Sequence, residues 1–215
     1  YHRDNEHKKT SYLLNKLSNG LDIALVSDAG TPGISDPGAV LVREARQWDI
    51  SVVPVPGPSA LATALSVSGM QETGFYFGGF PSAKKGERRK QFNALKAFNC
   101  PLIFYEAPHR IQATLQDCLN IFGDRQAQLF RELTKLHEEH LSGSLSELFK
   151  RTSGRVRGEL VLIICGHEKE AREERPEDLN ELITWYRDKG KTSLKDAVRF
   201  ISRDLEIPRS RVYRQ

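Results

Sequence analysis

Ile23-Ala24-Leu25-Val26-Ser27-Asp28-Ala29-Gly30-Thr31-Pro32-Gly33-Ile34-Ser35-Asp36-Pro37-Gly38 runs from an apolar tetrad into three glycines and two prolines. The tetrad predicts a strand, and the break after it predicts tight turns with little side-chain bulk. Main-chain groups can therefore approach a ligand just past the strand end. Asp28 and Asp36 add two carboxylates to this bare loop. A phosphate cradle wants backbone amides and a lysine, and the stretch fits neither G-x-x-x-x-G-K-[ST] nor G-x-G-x-x-G. A cationic or hydroxyl-bearing ligand suits it better. Asp36-Pro37 also matches a helix start, with Asp as N-cap and Pro in the first helical position. That role accounts for Asp36 and leaves Asp28 and the remaining glycines and prolines to binding.

Outward from this loop the rhythm is βαβα. Helices are predicted near Pro37 to Trp48 and Ser59 to Ser68, with a strand at Ile50 to Val55 between them. A second series follows a junction near Gly69 to Gly74: a strand at Phe75 to Phe77, a basic helix from about Glu87 to Phe98, and a strand at Leu102 to Tyr105. Then come a helix near Arg110 to Phe122 and strands near Gln128 to Glu132 and Leu160 to Cys165. The last two flank a short helix that opens on the capping-box pattern Ser144-Leu145-Ser146-Glu147. The polar run His167 to Asp178 reads as a linker. The remainder is helical, either helix-turn-helix-like or a plain extension packed on the body. The expected fold is therefore α/β, with two α/β domains (1–71 and 72–168), a linker (169–177) and a helical extension (178–215).

The chain has 215 residues and 39% hydrophobic content, enough for a sizeable core. No apolar run reaches the roughly 18 residues of a membrane span, and the polar opening Tyr1-His2-Arg3-Asp4 is no signal peptide. A cytoplasmic protein is expected. Cys100, Cys118 and Cys165 are widely spaced among apolar residues, which suits buried thiols rather than a disulfide frame or zinc site, so no metal is expected. The first residue is not Met, and Val212-Tyr213-Arg214 begins a helix at the very end; these features lead us to expect a piece of a longer protein. Net charge is only +4, but two segments concentrate it. Lys84-Lys85-Gly86-Glu87-Arg88-Arg89-Lys90 carries five basic residues against one acidic, and Arg187 to Gln215 carries nine against four. Charge runs usually mark solvated helix faces, but two of them beside a small-ligand loop point to a polyanionic substrate.

Further constellations follow along the chain. Val53-Pro54-Val55-Pro56-Gly57-Pro58-Ser59-Ala60 is the second strand-to-helix turn and belongs on the same edge as the first. Ser59 serves as a helix cap or as a ligand donor, and both readings stay open. Phe77-Gly78-Gly79-Phe80-Pro81 sets a glycine pair between aromatic residues. Tyr105-Glu106-Ala107-Pro108-His109-Arg110-Ile111 puts a carboxylate, an imidazole and a guanidinium together, a set able to exchange protons and hold phosphate. Helix-start electrostatics competes with that reading. Arg131-Glu132-Leu133-Thr134-Lys135 is rich in hydrogen-bonding side chains, His137, Glu138, Glu139 and His140 read as surface, and Gly158 permits close backbone approach.

Taken in order, the loop Ser27–Gly38, Pro56-Gly-Pro-Ser-Ala60, Phe77–Pro81, Tyr105–Ile111, Arg131–Lys135 and Gly158-Glu159 resemble the bacterial ribosomal RNA small-subunit 2′-O-methyltransferase family, within the tetrapyrrole methylase superfamily. The resemblance covers Tyr1 to Gly166 and implies S-adenosylmethionine as methyl donor, bound between two α/β domains. It implies a cytidine 2′-hydroxyl in 16S RNA, or in the small ribosomal subunit, as acceptor, and a homodimer. It departs at the start: similar proteins open with a strand and a Thr-Pro-Ile-Gly-Asn-Leu type loop that nothing here matches, so weak donor binding or inactivity is expected of this chain.

By motif, donor contacts fall to Asp28, Ala29, Gly30, Thr31, Pro32, Gly33, Ile34 and Ser35, to Gly57 and Ser59, and to Leu133 and Leu160. Glu106 and His109 are proton-accepting candidates, while Arg110 and Lys135 orient phosphate or stabilise the developing alkoxide. Lys84, Lys85, Arg88, Arg89 and Lys90, with Arg209 and Arg211 of the tail, are expected to follow the RNA backbone. Two rivals remain: a tetrapyrrole or protein methylase of the same architecture, and a nucleic-acid-binding regulator with a ligand-sensing α/β body.

Overall fold

The computed structural model describes residues 1–2, 5–27, 30–70, 74–167, 179–190, 192–205 and 207–212, without the side chains of 188–190, 204 and 211. Residues 1–167 form one compact unit and residues 168–215 another.

The first unit is α/β. Its strands are β1 (Tyr76–Phe77), β2 (Leu102–Glu106), β3 (Gln126–Arg131), β4 (Glu139–Ser144) and β5 (Leu160–Ile164), and its helices are α1 (Glu6–Ser18), α2 (Ala39–Gln47), α3 (Ala60–Val67), α4 (Lys85–Leu95), α5 (Ile111–Phe122) and α6 (Leu145–Arg151). The sheet order is β1-β2-β5-β3-β4. Only β1 and β2 are parallel; β5 runs antiparallel to both of its neighbours, and β4 is antiparallel to β3.

Because side chains alternate across a strand, β2, β3 and β5 divide their apolar residues between two faces. Leu102, Phe104, Leu129, Leu160 and Leu162 pack with Phe92 of α4, Leu115 of α5 and Leu148 of α6. Ile103, Phe130, Val161 and Ile163 face Ala64 of α3. The α3 helix is fixed there by polar contacts as well. Leu61 N donates to Tyr105 Oη at 3.0 Å, and Gln128 Nε2 donates to Ser68 O at 2.7 Å. Helices α1 and α2 build a smaller core around Leu14, Leu41 and Ala45.

Three expectations are corrected. Ile23–Val26 and Ile50–Val55 read as strands, but among the described residues neither belongs to the sheet. A strand needs a neighbour to take up its N–H and C=O groups, and here both runs leave valines in solvent, with Val26 83%, Val53 76% and Val55 85% exposed. The strand Glu139–Ser144 was not predicted, because its sequence lacks apolar alternation; it is an edge strand held by pairing with β3. Asp36 does not cap α2. The N-cap is Gly38, at φ 144°, and a Cβ there would lie 2.7 Å from Leu25 Cδ2. The cap comes from α1, where Glu6 Oε1 accepts from Gly38 N at 2.8 Å and Val40 N at 3.3 Å. Burial pushes the Glu6 carboxyl up, but these N–H groups and the Tyr1 hydroxyl outweigh that and hold it below its usual range.

Local signals fared better. Ser59 caps α3 by accepting from Ala62 N, and Ser144 with Glu147 forms the capping box of α6. Asp124 supports the same end by accepting from Ser146 N at 2.7 Å, the main reason its carboxyl sits below the ordinary value.

In the second unit α7 (Leu179–Gly190), α8 (Leu194–Asp204) and α9 (Arg209–Val212) enclose Leu182, Val198, Ile201 and Val212. Ser193 caps α8 through Asp196 N. The predicted linker 169–177 lies outside the described residues. All three cysteines are free, and burial pushes the Cys118 thiol well above its ordinary value. Among the described residues no helix is long and apolar enough to cross a membrane, and no cluster of His, Cys, Asp and Glu is placed to hold a metal ion.

Candidate active site

A cavity of about 580 Å³ opens in the first unit where the 25–37 loop, the start of α3 and one edge of the sheet meet. That volume is in the range of small-molecule sites. The two glycine- and proline-rich turns converge on it. Thr31 Oγ1 donates to Pro58 O at 3.1 Å, joining them directly, and Gly30, Thr31, Ile34, Ser35 and Ser59 all line the space. The opposite wall comes from the ends of β2 and β3 and the beginning of β5, where Tyr105, Phe130 and Leu133 face the cavity and Leu160 borders it.

Two loops press into this geometry. Gly79 approaches Ser35 so closely that a Cβ would sit 3.0 Å from Ser35 Oγ, which brings the Phe77–Pro81 turn against the first loop. Gly158 has φ +90°, and a Cβ there would fall 2.4 Å from Glu132 Cγ, so the chain entering β5 can lie against the turn that follows β3. Glu132 Oε1 accepts from Glu159 N at 2.8 Å, and Lys135 Nζ bridges Glu132 (3.1 Å) and Glu159 (2.9 Å). Hydrogen bonding first to Glu159 and then to Glu132 raises the Lys135 ammonium above its ordinary value. The Glu159 N–H is the leading cause that lowers Glu132.

The predicted site residues divide accordingly. Gly30, Thr31, Ile34, Ser35, Ser59, Leu133, Leu160 and Glu106 line the cavity; Pro32, Gly33 and Gly57 belong to the same turns without lining it; Asp28 and Ala29 lie outside the described residues. Glu106 is 2% exposed, and its oxygens are committed. Oε1 accepts from Ala107 N at 2.8 Å and faces Arg110 Nε at 3.2 Å, while Oε2 accepts from Thr114 Oγ1 at 2.5 Å. Arg110 also donates to Pro81 O, so it ties the β2 end to the Phe80 loop instead of facing the cavity. His109 is exposed, and neither it nor Lys135 lines the space.

Sequence reasoning missed several lining residues: Phe80, Tyr105, Phe130 and Glu159, with Asp36 turned from cap to wall. Their signal was adjacency, since each lies within or beside a motif already singled out. Phe80 and Phe77 both meet Tyr105 edge-on, at 5.6 and 5.0 Å between ring centres. A carboxylate (Asp36), hydroxyls (Thr31, Ser59) and apolar or aromatic walls together suit a ligand with a flat apolar body, hydroxyls and a positive charge.

The basic stretch also divides. Arg88 is withdrawn from any nucleic-acid role: it is 4% exposed, with Nη2 2.6 Å and Nε 2.9 Å from Asp117 Oδ2, and it joins α4 to α5 inside the protein. Lys84, Lys85, Arg89 and Lys90 are exposed, although Lys84 pairs with Glu87 at 3.4 Å and Arg89 lies 3.9 Å from Asp117. Arg209 is exposed, and the side chain of Arg211 is outside the described residues.

Residues 2–148 match the family described as tetrapyrrole (corrin/porphyrin) methylases. The chain is 39% identical over 219 aligned positions to ribosomal RNA small subunit methyltransferase I of Bacillus subtilis, covering 99% of this chain and 75% of that protein. It is 42% identical to the protein of that name from Micromonospora olivasterospora (100% and 69% covered) and 43% identical to the one from Vibrio cholerae (85% and 65%). The chain thus spans between 65% and 75% of the length of these three relatives. Among solved structures it resembles the methyltransferase CobJ, with TM-score 0.59 at 15% identity over 75% of this chain and 72% of that one. A uroporphyrin-III C-methyltransferase from Thermus thermophilus complexed with S-adenosylhomocysteine follows, with TM-score 0.55 at 17% identity over 78% and 75%. At these identities the likeness is one of fold.

Proposed function

The chain belongs, among the tetrapyrrole (corrin/porphyrin) methylases, to the family of ribosomal RNA small subunit methyltransferase I, and from that premise we propose that it transfers a methyl group from S-adenosylmethionine to the 2′-hydroxyl of a cytidine in 16S ribosomal RNA. The observation that carries this reading is the convergence of the Thr31 and Pro58 turns on one cavity of about 580 Å³. The residues fit the donor. Leu133 and Phe130 offer apolar surface for an adenine, Thr31 and Ser59 offer hydroxyls, and Asp36 offers negative charge toward a sulfonium, while Glu159 is paired with Lys135.

When bound, the donor supplies an already activated methyl group. With donor and ribose bound, the chemistry supplied would be displacement at the methyl carbon, the C–S electron pair departing with the sulfur and the 2′-hydroxyl proton passing to solvent. What the protein contributes is alignment and exclusion of water, which can supply several powers of ten in rate. The turns at Thr31 and Ser59 fix one side of the cavity, and the Glu132–Lys135–Glu159 bridge fixes the other. Glu106, with its lone pairs engaged, acts as a positioning residue that keeps the β2 end and Arg110 in place. Exposed Lys84, Lys85 and Lys90 draw the RNA toward the first unit, and exposed Arg209 adds positive charge to the second. RNA of the small ribosomal subunit is the expected partner, and the exposed Val53 and Val55 offer apolar area for pairing as a homodimer.

Transfer of labelled methyl to purified small ribosomal subunits, followed by nuclease mapping, tests the reading. Label on a cytidine 2′-oxygen is expected; label on base carbon or nitrogen, or on protein, would overturn it.

A further inference from the structure

Resting on the RNA-methylating reading, we propose that a second cavity, walled by Arg131, Arg151, Arg155 and Arg157, binds a backbone phosphodiester of the same RNA. The cavity measures about 270 Å³, and Leu129, Leu141 and Val156 contribute its apolar surface. Its one carboxylate, Glu139, is spent on Arg131, at 2.8 Å. Arg151 reaches only Ser142 O, at 3.4 Å. Among the described residues Arg155 and Arg157 have neither an ion-pair nor a hydrogen-bond partner, and both are exposed. Four guanidinium groups against one carboxylate leave a strong positive balance in a concave space, and planar guanidinium forks match phosphate oxygens in pairs.

Position argues for a chain phosphate over a free anion. Along β3 the side chains alternate, so Arg131 and Leu129 face this cavity while Phe130 faces the methyl-transfer cavity. Arg157 immediately precedes Gly158, Glu159 and Leu160, which line the other side. The two cavities are therefore on opposite faces of one sheet edge, separated by single residues of the same two segments. A polynucleotide with a ribose in the first would cross this edge, and its next phosphates would meet the arginines. The Lys84–Lys90 stretch is a weaker anchor, since Arg88 is buried and Lys84 is paired with a carboxylate.

The test measures binding of a single-stranded RNA oligonucleotide from the small-subunit sequence across a salt series, alongside calorimetry with S-adenosylmethionine and the labelled-methyl assay. For the double variant R155A/R157A we expect RNA affinity to fall about tenfold at low salt and the log–log salt slope to drop by about 1.4, two phosphate contacts' worth. Donor affinity is expected to hold within about twofold, and R155K/R157K to recover much of the slope, as a charge-based site requires. An unchanged affinity and slope in R155A/R157A, with wild-type methyl transfer intact, would overturn the phosphate site and leave the RNA reading standing. A slope lost in the variant while the wild type places methyl on a base carbon or nitrogen, or on protein, would support the phosphate site and overturn the acceptor instead.

Discussion

The carboxylate of Glu6, on α1, accepts the main-chain N–H of Gly38 at 2.8 Å, thirty-two residues along the chain, and so supplies the cap that α2 lacks from its own sequence. Gly38 also closes the loop that carries Thr31 and Ser35 into the proposed donor cavity, so one contact governs both the helix start and that loop. Glu6→Ala is expected to cost about 1–2 kcal/mol, the scale of a lost helix cap, and to weaken donor binding. Urea unfolding and calorimetry check the two effects.

The same contact has a pH signature. The Glu6 carboxyl is held below its usual range in the folded protein, so its contribution is complete above the unfolded-state value near 4.5 and is lost as pH falls through the lower folded-state value. The acid limb of the stability curve should therefore be shallower in Glu6→Gln than in the wild type. Equal limbs would contradict the assignment.

Arg88 and Asp117 form a buried pair, with Nη2 2.6 Å from Oδ2. Removing one partner leaves an uncompensated charge, so Arg88→Met alone should destabilise by about 3–5 kcal/mol, with Arg88→Met/Asp117→Leu recovering much of that loss. The salt dependence of RNA binding by any folded Arg88 variant should match the wild type, whereas Lys84→Ala/Lys90→Ala should lower its slope. Denaturation and binding titrations separate the two.

Much of this architecture was legible because its signals are local. The capping box of Ser144 and Glu147 and the cap at Ser59 each lie within three residues of what they bind, and the apolar runs of β2 and β5 are buried on both faces. The failures were of context. Ile23–Val26 has a strand's composition, but composition cannot provide a neighbour to pair with. Glu139–Ser144 has the neighbour without the composition. Counting charges along Lys84–Lys90 hid that Arg88, Phe92 and Leu95 share one helix face, and the spacing of four and three between them was the available signal. The cap from Glu6 and the cluster of Arg131, Arg151, Arg155 and Arg157 are assembled by tertiary structure from distant segments.

Gly158, at φ +90° and against Glu132, lines the cavity. Gly158→Ala should cost about 1–3 kcal/mol through the strained backbone and should raise the donor dissociation constant by shifting the Glu159 strap. Unaltered donor affinity in a folded variant would contradict the role given to that strap.

If Glu106 positions the β2 end rather than taking the proton, Glu106→Gln should lower stability by about 1–3 kcal/mol, as for a buried charged hydrogen-bond acceptor, and reduce kcat without moving the pH profile. Loss of an acidic limb in the kcat/KM profile would instead make it the base.

The account turns on one cavity shared by the Thr31 turn, the Ser59 turn and the ends of β3 and β5, and a crystal structure with S-adenosylhomocysteine tests it most directly. The expected density has the nucleoside against Leu133 and Phe130 and the sulfur-bearing chain beside the Gly30–Ser35 turn. Density for the ligand anywhere else on the first unit would contradict it.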